Sequence, residues 1–119
     1  NRKPLSSIAL STDTSVITAI SNDYSFDEIF SRQIESIGIE GDILYAISTS
    51  GKSKNIIEAL KIAKSRNIKT IGVTGSDNST FKDLCNVTIS TPASRSDRIQ
   101  EMHIAIGHII CEILEAELC

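Results

Sequence analysis

The sequence predicts an α/β fold with a parallel sheet flanked by helices. Three observations predict it. Short, unbroken apolar runs rich in Ile and Val recur through the 119 residues, which is how strands buried on both faces read. Segments of helical spacing lie between the runs, so strand and helix alternate as in βαβ units. Turns rich in hydroxyls and glycine follow two of the runs, "ISTSGKS" and "TGSDNS". In parallel sheets, ligands bind just beyond the carboxyl ends of the strands.

The elements follow in order. "SSIALS" (Ser6–Ser11) is the first expected strand. Thr14–Ser21 is a short helix after "STDT", whose Ser, Thr and Asp are capping residues. Ser25–Ile37 reads as a second helix, opened by "SFDE", a near capping box with Glu28 three residues after Ser25. Its Ile29, Phe30, Ile34 and Ile37 have helical spacing. "DILYAIS" (Asp42–Ser48) is the second strand. Ser53–Arg66 is a helix carrying Ile56, Ile57, Leu60 and Ile62, with a Lys/Arg-rich end suited to the helix dipole. "KTIGVTG" (Lys69–Gly75) is the third strand, "STFKDLC" a short helix, and "NVTIS" (Asn86–Ser90) the fourth strand. A long helix over about Ser96–Glu117 closes the chain. No linker, repeat or low-complexity segment divides residues 1–119, so one domain is expected.

The totals exclude several classes. Apolar residues make up 40% and charged residues 23%, ordinary for a globular protein. A net charge of −3 argues against a nucleic-acid surface, which carries a basic excess. No apolar run approaches the ~20 residues that span a bilayer. "NRKPLSS" has no apolar h-region after it and no initiator Met, so either a Met was trimmed or the chain continues upstream. The three cysteines, Cys85, Cys111 and Cys119, form no CxxC pair. That composition suits a reducing cytoplasm, with Cys85 and Cys111 as small core-filling residues.

The turn after the second strand carries Ser48, Thr49, Ser50, Gly51 and Ser53. A loop that leaves a parallel strand and enters a helix offers unpaired amides and a positive dipole end, which suit an anion. The hydroxyls add donors. Neither GxxxxGK[ST] nor GxGxxG occurs, so a phosphate monoester fits better than a nucleotide polyphosphate. The same residues also suit a plain turn and helix cap, and composition leaves both readings open. Lys52 either adds charge near an anion or points to solvent.

On the last helix, at ~100° per residue, Ile99, Met102, Ile106, Ile109, Ile110 and Ile113 cluster as an expected core face. Asp97, Gln100, Glu101, His108 and Glu112 cluster on the other side. Gln100 and His108 are two turns apart, ~12 Å along the axis. They could flank a substrate, or reach one metal only with long side-chain reach. His103 points toward the edge of the apolar stripe and is expected to be structural. Ile104 and Cys111, on the otherwise polar face, hint at a partner surface.

"IALSTDTSVITAISNDYSFDEIFSRQI", "ISTSGKS" and "SDRIQEMHIAIGHIICEILE" resemble phosphoheptose isomerase, a branch of the sugar-isomerase (SIS) domain superfamily. The resemblance runs along nearly the whole chain. "STSGxS" alone marks the superfamily; "ISND" with "DRIQExHxxxGH" points to the heptose isomerase branch. It implies a three-layer, Rossmann-like SIS fold, with four of the family's five strands present here. The implied activity converts sedoheptulose 7-phosphate to D-glycero-D-manno-heptose 7-phosphate, supplying heptose to lipopolysaccharide or capsule.

The resemblance also implies residue roles. Ser48, Thr49, Ser50 and Ser53 would bind the sugar phosphate, and Asn22 and Asp23 would contact the substrate. Asp97 and Gln100 would line the reacting end. Gln100 and His108 would be zinc ligands, with His108 also the proton donor. Family members are homotetramers with interfacial active sites. The family's GNGGSA-type turn and the following helix, whose His and Glu supply two more zinc ligands and the general base, have no counterpart in these residues. The first strand here matches the family's second, so the C-terminal two-thirds of an isomerase is expected. Lys52 stands where the family commonly has Asn. The competing expectation is a non-catalytic SIS protein: a sugar-phosphate sensor, or a DiaA-like initiator-associating protein. A binding platform has no physical need for Gln100 and His108 beside a phosphate loop.

Overall fold

A computed structural model describes residues 2–119. Its order is α1 (Thr14–Asp23), a 3₁₀ turn (Phe26–Glu28), α2 (Ser31–Ile37), β1 (Ile43–Ser48), α3 (Lys54–Ser65), β2 (Lys69–Thr74), α4 (Ser79–Leu84), β3 (Val87–Ser90) and α5 (Ser96–Leu118). The three strands form one parallel sheet in the order β1-β2-β3. Among the described residues no helix is long and apolar enough to cross a membrane.

The expected strand Ser6–Ser11 does not form, so three strands are present among the described residues rather than four. A strand needs a neighbour to accept its ladder bonds, and apolar content alone does not supply one. The backbone here bonds to a turn and to a side chain instead. The Ala9 carbonyl accepts from the Thr12 amide, and the Leu10 carbonyl accepts from the Gln33 side chain. Ile8 is left 69% exposed.

The helix expected over Ser25–Ile37 is split into the 3₁₀ turn and α2. Its capping box does not close, because Ser25 Oγ lies 3.4 Å from Glu28 Oε1 and makes no bond to a backbone amide. α1 is capped by Asp13, whose Oδ1 accepts from the Val16 amide at 3.0 Å.

The core sits on one face of the sheet. Ile34, Ala59, Ala63 and Ile68 form one cluster, and Ala46, Leu60 and Phe81 another. Leu44 touches both. These side chains come from α2, α3, α4, the inward positions of β1 and, for Ile68, the residue before β2, so helical and strand periodicities meet on a common surface. Phe81 and Leu60 are fully buried.

The other face is covered by α5, and only in part. Ile99 and His103 are the buried residues of α5. Met102, Ile109 and Ile113, expected in the core, are exposed. The buried line is therefore rotated from the expected stripe, toward Ile99 and His103. The helix is also longer than the sheet it crosses: 23 residues span about 34 Å, against strands of six residues or fewer. Ile43 and Ile47 of β1 are exposed on that face, so β1 is not buried on both sides as its apolar run suggested. Cys85 is half-buried, but Cys111 and Cys119 are exposed, and all three are free thiols. Cys111 is therefore not a core filler.

Phe81→Ala should destabilise the protein by about 3–5 kcal/mol, because a fully buried ring leaves a cavity. Urea denaturation followed by circular dichroism measures it. A loss below about 1 kcal/mol would contradict this account of the core.

Candidate active site

The register of the sheet builds the site. Ser48 aligns with Thr74 on β2, and Thr74 aligns with Ser90 on β3. A row of three hydroxyl residues therefore crosses the carboxyl ends of the strands. Ser48 and Thr74 are buried, which brings their side chains against the loops that leave β1 and β2. Thr74 and Ser90 were not singled out from the sequence. Only pairing register reveals the row, although both "TGSDNS" and "NVTIS" were visible as strand ends.

The β1–α3 loop folds over this row. The Gly51 amide donates to the Ser48 carbonyl at 3.2 Å, closing a tight turn. Gly51 has φ +65, the left-handed region glycine enters freely. A Cβ there would also stand 2.6 Å from the Asp77 carbonyl oxygen and 2.9 Å from Thr74 Oγ1. Within the turn, Ser48 Oγ lies 2.9 Å from Ser53 Oγ and 3.5 Å from Ser50 Oγ. The Lys52 amide donates to Ser50 Oγ at 3.1 Å.

Ser53 is the N-cap residue of α3, yet its hydroxyl makes no capping bond. It turns to Ser48 instead, and the first amides of a helix have no intrahelical acceptor. The result is a cluster of three hydroxyls at a helix N-terminus, with no carboxylate in Ser48–Ser53. That donor set suits a phosphate or another small anion.

The second loop locks the first. The Gly75 amide donates to the Thr49 carbonyl at 3.2 Å, and Thr74 Oγ1 donates to the Asp77 carbonyl at 3.2 Å. Lys52 Nζ lies 2.8 Å from Asp77 Oδ2. Lys52 is therefore solvent-exposed, as one of its two expected roles required, but it is paired rather than a lone cation. The hydrogen bond and charge of Lys52 hold the Asp77 carboxyl below the usual carboxylate range, and Asp77 raises the Lys52 ammonium in return.

The remaining expected residues lie on α1 and α5. Asn22 and Asp23 end α1, where Asn22 Nδ2 donates to Asp23 Oδ1 at 3.1 Å. α1 packs on the 3₁₀ turn and that turn packs on α3. Lys54 Nζ stands 4.0 Å from Asp27 Oδ2 across that contact, which carries the end of α1 toward the start of α3. On α5, Asp97 is paired with Arg95. Arg95 Nε and Nη2 donate to its two carboxylate oxygens at 3.1 and 2.7 Å. Gln100 and His108 are both exposed.

Zinc takes four protein ligands in a closed site, or three and a water in an open one. Gln100 and His108 supply at most two, and among the described residues no three His, Cys, Asp or Glu side chains converge on a common point. These residues alone do not make a zinc centre.

Beneath α5 lies an unsatisfied polar group. Both ring nitrogens of His103, Tyr45 Oη and Thr91 Oγ1 are buried without a hydrogen-bond partner among the described residues. Burial pushes the Tyr45 phenol above its ordinary range, and the Cys111 thiol adds to the shift. His103 is buried at the edge of the apolar stripe of α5, with neither ring nitrogen paired among the described residues.

A family model described as "SIS domain" matches residues 1–75, a span that includes β1, the hydroxyl loop, α3 and β2. The chain belongs to the SIS domain family. This SIS chain is 52% identical over 114 residues to a phosphoheptose isomerase of Nitratiruptor sp., covering 96% of this chain and 61% of that one. It is 48% identical over 118 residues to phosphoheptose isomerase 2 of Campylobacter jejuni, covering 99% and 59%. Among solved structures, phosphoheptose isomerase GmhA of Neisseria gonorrhoeae matches with a TM-score of 0.88 at 44% identity, over 92% of this chain and 61% of that one. A phosphoheptose isomerase of Francisella tularensis matches with a TM-score of 0.93 at 37% identity, over 98% and 62%. The SIS chain thus spans about three-fifths of the length of these relatives.

Gly51→Ala should cost about 1–2 kcal/mol, from left-handed backbone and from overlap with the Asp77 carbonyl. Chemical denaturation checks this, and an unchanged midpoint would contradict the loop geometry.

Proposed function

We propose that the protein is a phosphoheptose isomerase, interconverting sedoheptulose 7-phosphate and D-glycero-D-manno-heptose 7-phosphate through an enediol. The observation that carries this reading is the hydroxyl cluster of Ser48, Ser50 and Ser53 at the start of α3. The relatives named above, all phosphoheptose isomerases, support the same substrate class.

In this reading Ser48, Thr49, Ser50 and Ser53 hold the phosphate, and Asn22 and Asp23 contact the sugar. The phosphate is a handle: binding energy at one end fixes the reacting carbons at the other. Isomerisation moves a proton between adjacent carbons and another between their oxygens, which needs a base at carbon and an acid at oxygen. A histidine exchanges protons near neutrality, and His108 would hold or deliver the proton at oxygen. Asp97 and Gln100 would line the reacting end, with Arg95 fixing the Asp97 carboxylate. Glu101, Glu112 and Glu115 match no base in the family's motif. Gln100 and His108 would supply two ligands to a zinc ion, which would need two more beyond them and would polarise the sugar carbonyl as a Lewis acid. A homotetramer with interfacial sites, a cytoplasmic location and heptose supply to lipopolysaccharide or capsule complete the proposal.

Full-length protein given sedoheptulose 7-phosphate and zinc should form the aldose, followed by NMR. No turnover would overturn the reading. His108→Gln should abolish turnover while substrate still binds. Ser53→Ala should weaken substrate binding about tenfold or more, the scale of one hydrogen bond to a charged group.

A further inference from the structure

The loop that carries the hydroxyl cluster holds one charged side chain, Lys52, and the loop after β2 holds one, Asp77. They meet at 2.8 Å. Each is tied to the cluster by its backbone. The Lys52 amide donates to Ser50 Oγ, and the Asp77 carbonyl lies against Gly51, the residue between Ser50 and Lys52. The second Asp77 oxygen accepts from Ser79 Oγ at 3.2 Å, which further fixes the carboxylate. A carboxylate so held would oppose the arrival of a phosphate dianion, because like charges at short range repel.

We propose that Lys52 is a positioning residue for the phosphate, acting by cancelling Asp77 rather than by touching the ligand. The inference rests on the phosphate reading of the loop. It gives Lys52 a role that neither a solvent-facing lysine nor a direct phosphate ligand has. The hydroxyls and helix amides do the binding, and the ion pair offsets the carboxylate of the neighbouring loop that would oppose it.

Three arrangements predict different patterns, read by calorimetry of inorganic phosphate and of sedoheptulose 7-phosphate with the full-length protein. Under charge cancellation, Lys52→Met weakens phosphate binding about twofold to fivefold, the range of an exposed ion pair. Asp77→Asn binds as well as the wild type or better. The double variant Lys52→Met/Asp77→Asn returns to the wild-type affinity, and Lys52→Arg keeps it. If Lys52 contacted the phosphate itself, the double variant would stay as weak as Lys52→Met. If the pair only tied the loops together, Asp77→Asn would weaken binding as much as Lys52→Met does. Either pattern would overturn the proposal, as would four equal affinities or no phosphate binding by the wild type. The expected pattern without turnover of the sugar phosphate would support the role of Lys52 and overturn only the isomerase reading.

Discussion

The parallel register of β1 on β2 is the constraint from which the site follows. It sets Ser48 beside Thr74, so the loops leaving the two strands emerge side by side. Backbone groups there are buried and must find partners. The Gly75 N–H of the second loop donates to the Thr49 carbonyl of the first, and within the second loop Thr74 Oγ1 donates to the Asp77 carbonyl. Gly51 is needed because the left-handed turn brings its Cα within reach of the Asp77 carbonyl, where any side chain would overlap. The first loop is thus shaped by the second, and the N-terminus of α3 inherits its position from both.

The two faces of the sheet differ in how completely they are covered. On the α3 side the apolar surfaces interlock and Phe81, Leu60 and Ala63 lose all solvent contact. On the α5 side, Ile43 and Ile47 remain exposed on β1, and Met102, Ile109, Ile113 and Leu118 remain exposed on α5. The unpartnered His103 ring and Tyr45 hydroxyl belong to the same side. Buried polar groups are normally bonded and large apolar patches normally covered. The α5 side departs from both rules at once, in a chain that spans three-fifths of the length of its relatives.

What the sequence disclosed depended on how local the determinant was. β1, β2, β3 and α3 to α5 carry their own periodicity, and they form close to where it placed them. "SSIALS" has the same apolar character as β1 but no neighbour to pair with, and it stays irregular. Ser25–Ile37 has helical spacing, yet it forms a 3₁₀ turn and a separate α2, and the Ser25 side chain reaches Glu28 without capping a backbone amide. The hydroxyl loop was legible because turn chemistry is local. The alignment of Ser48, Thr74 and Ser90 was not, because it exists only once the strands pair. The Arg95–Asp97 and Lys52–Asp77 pairs were hidden for related reasons: the first depends on how α5 begins, and the second joins loops 25 positions apart in the chain.

One line of contacts joins the two halves of the proposed chemistry. Ile99, buried in the first turn of α5, packs onto Gly75: a Cβ on Gly75 would lie 2.9 Å from Ile99 Cδ1. The Gly75 amide in turn holds the Thr49 carbonyl of the hydroxyl loop. Asp97 and Gln100 flank Ile99, so they are fixed relative to the loop through one apolar contact and one hydrogen bond. His108 lies two turns beyond Gln100, ~12 Å farther along the helix. The small size of Gly75 is therefore what lets α5 approach the hydroxyl loop, and a side chain there would push the helix away.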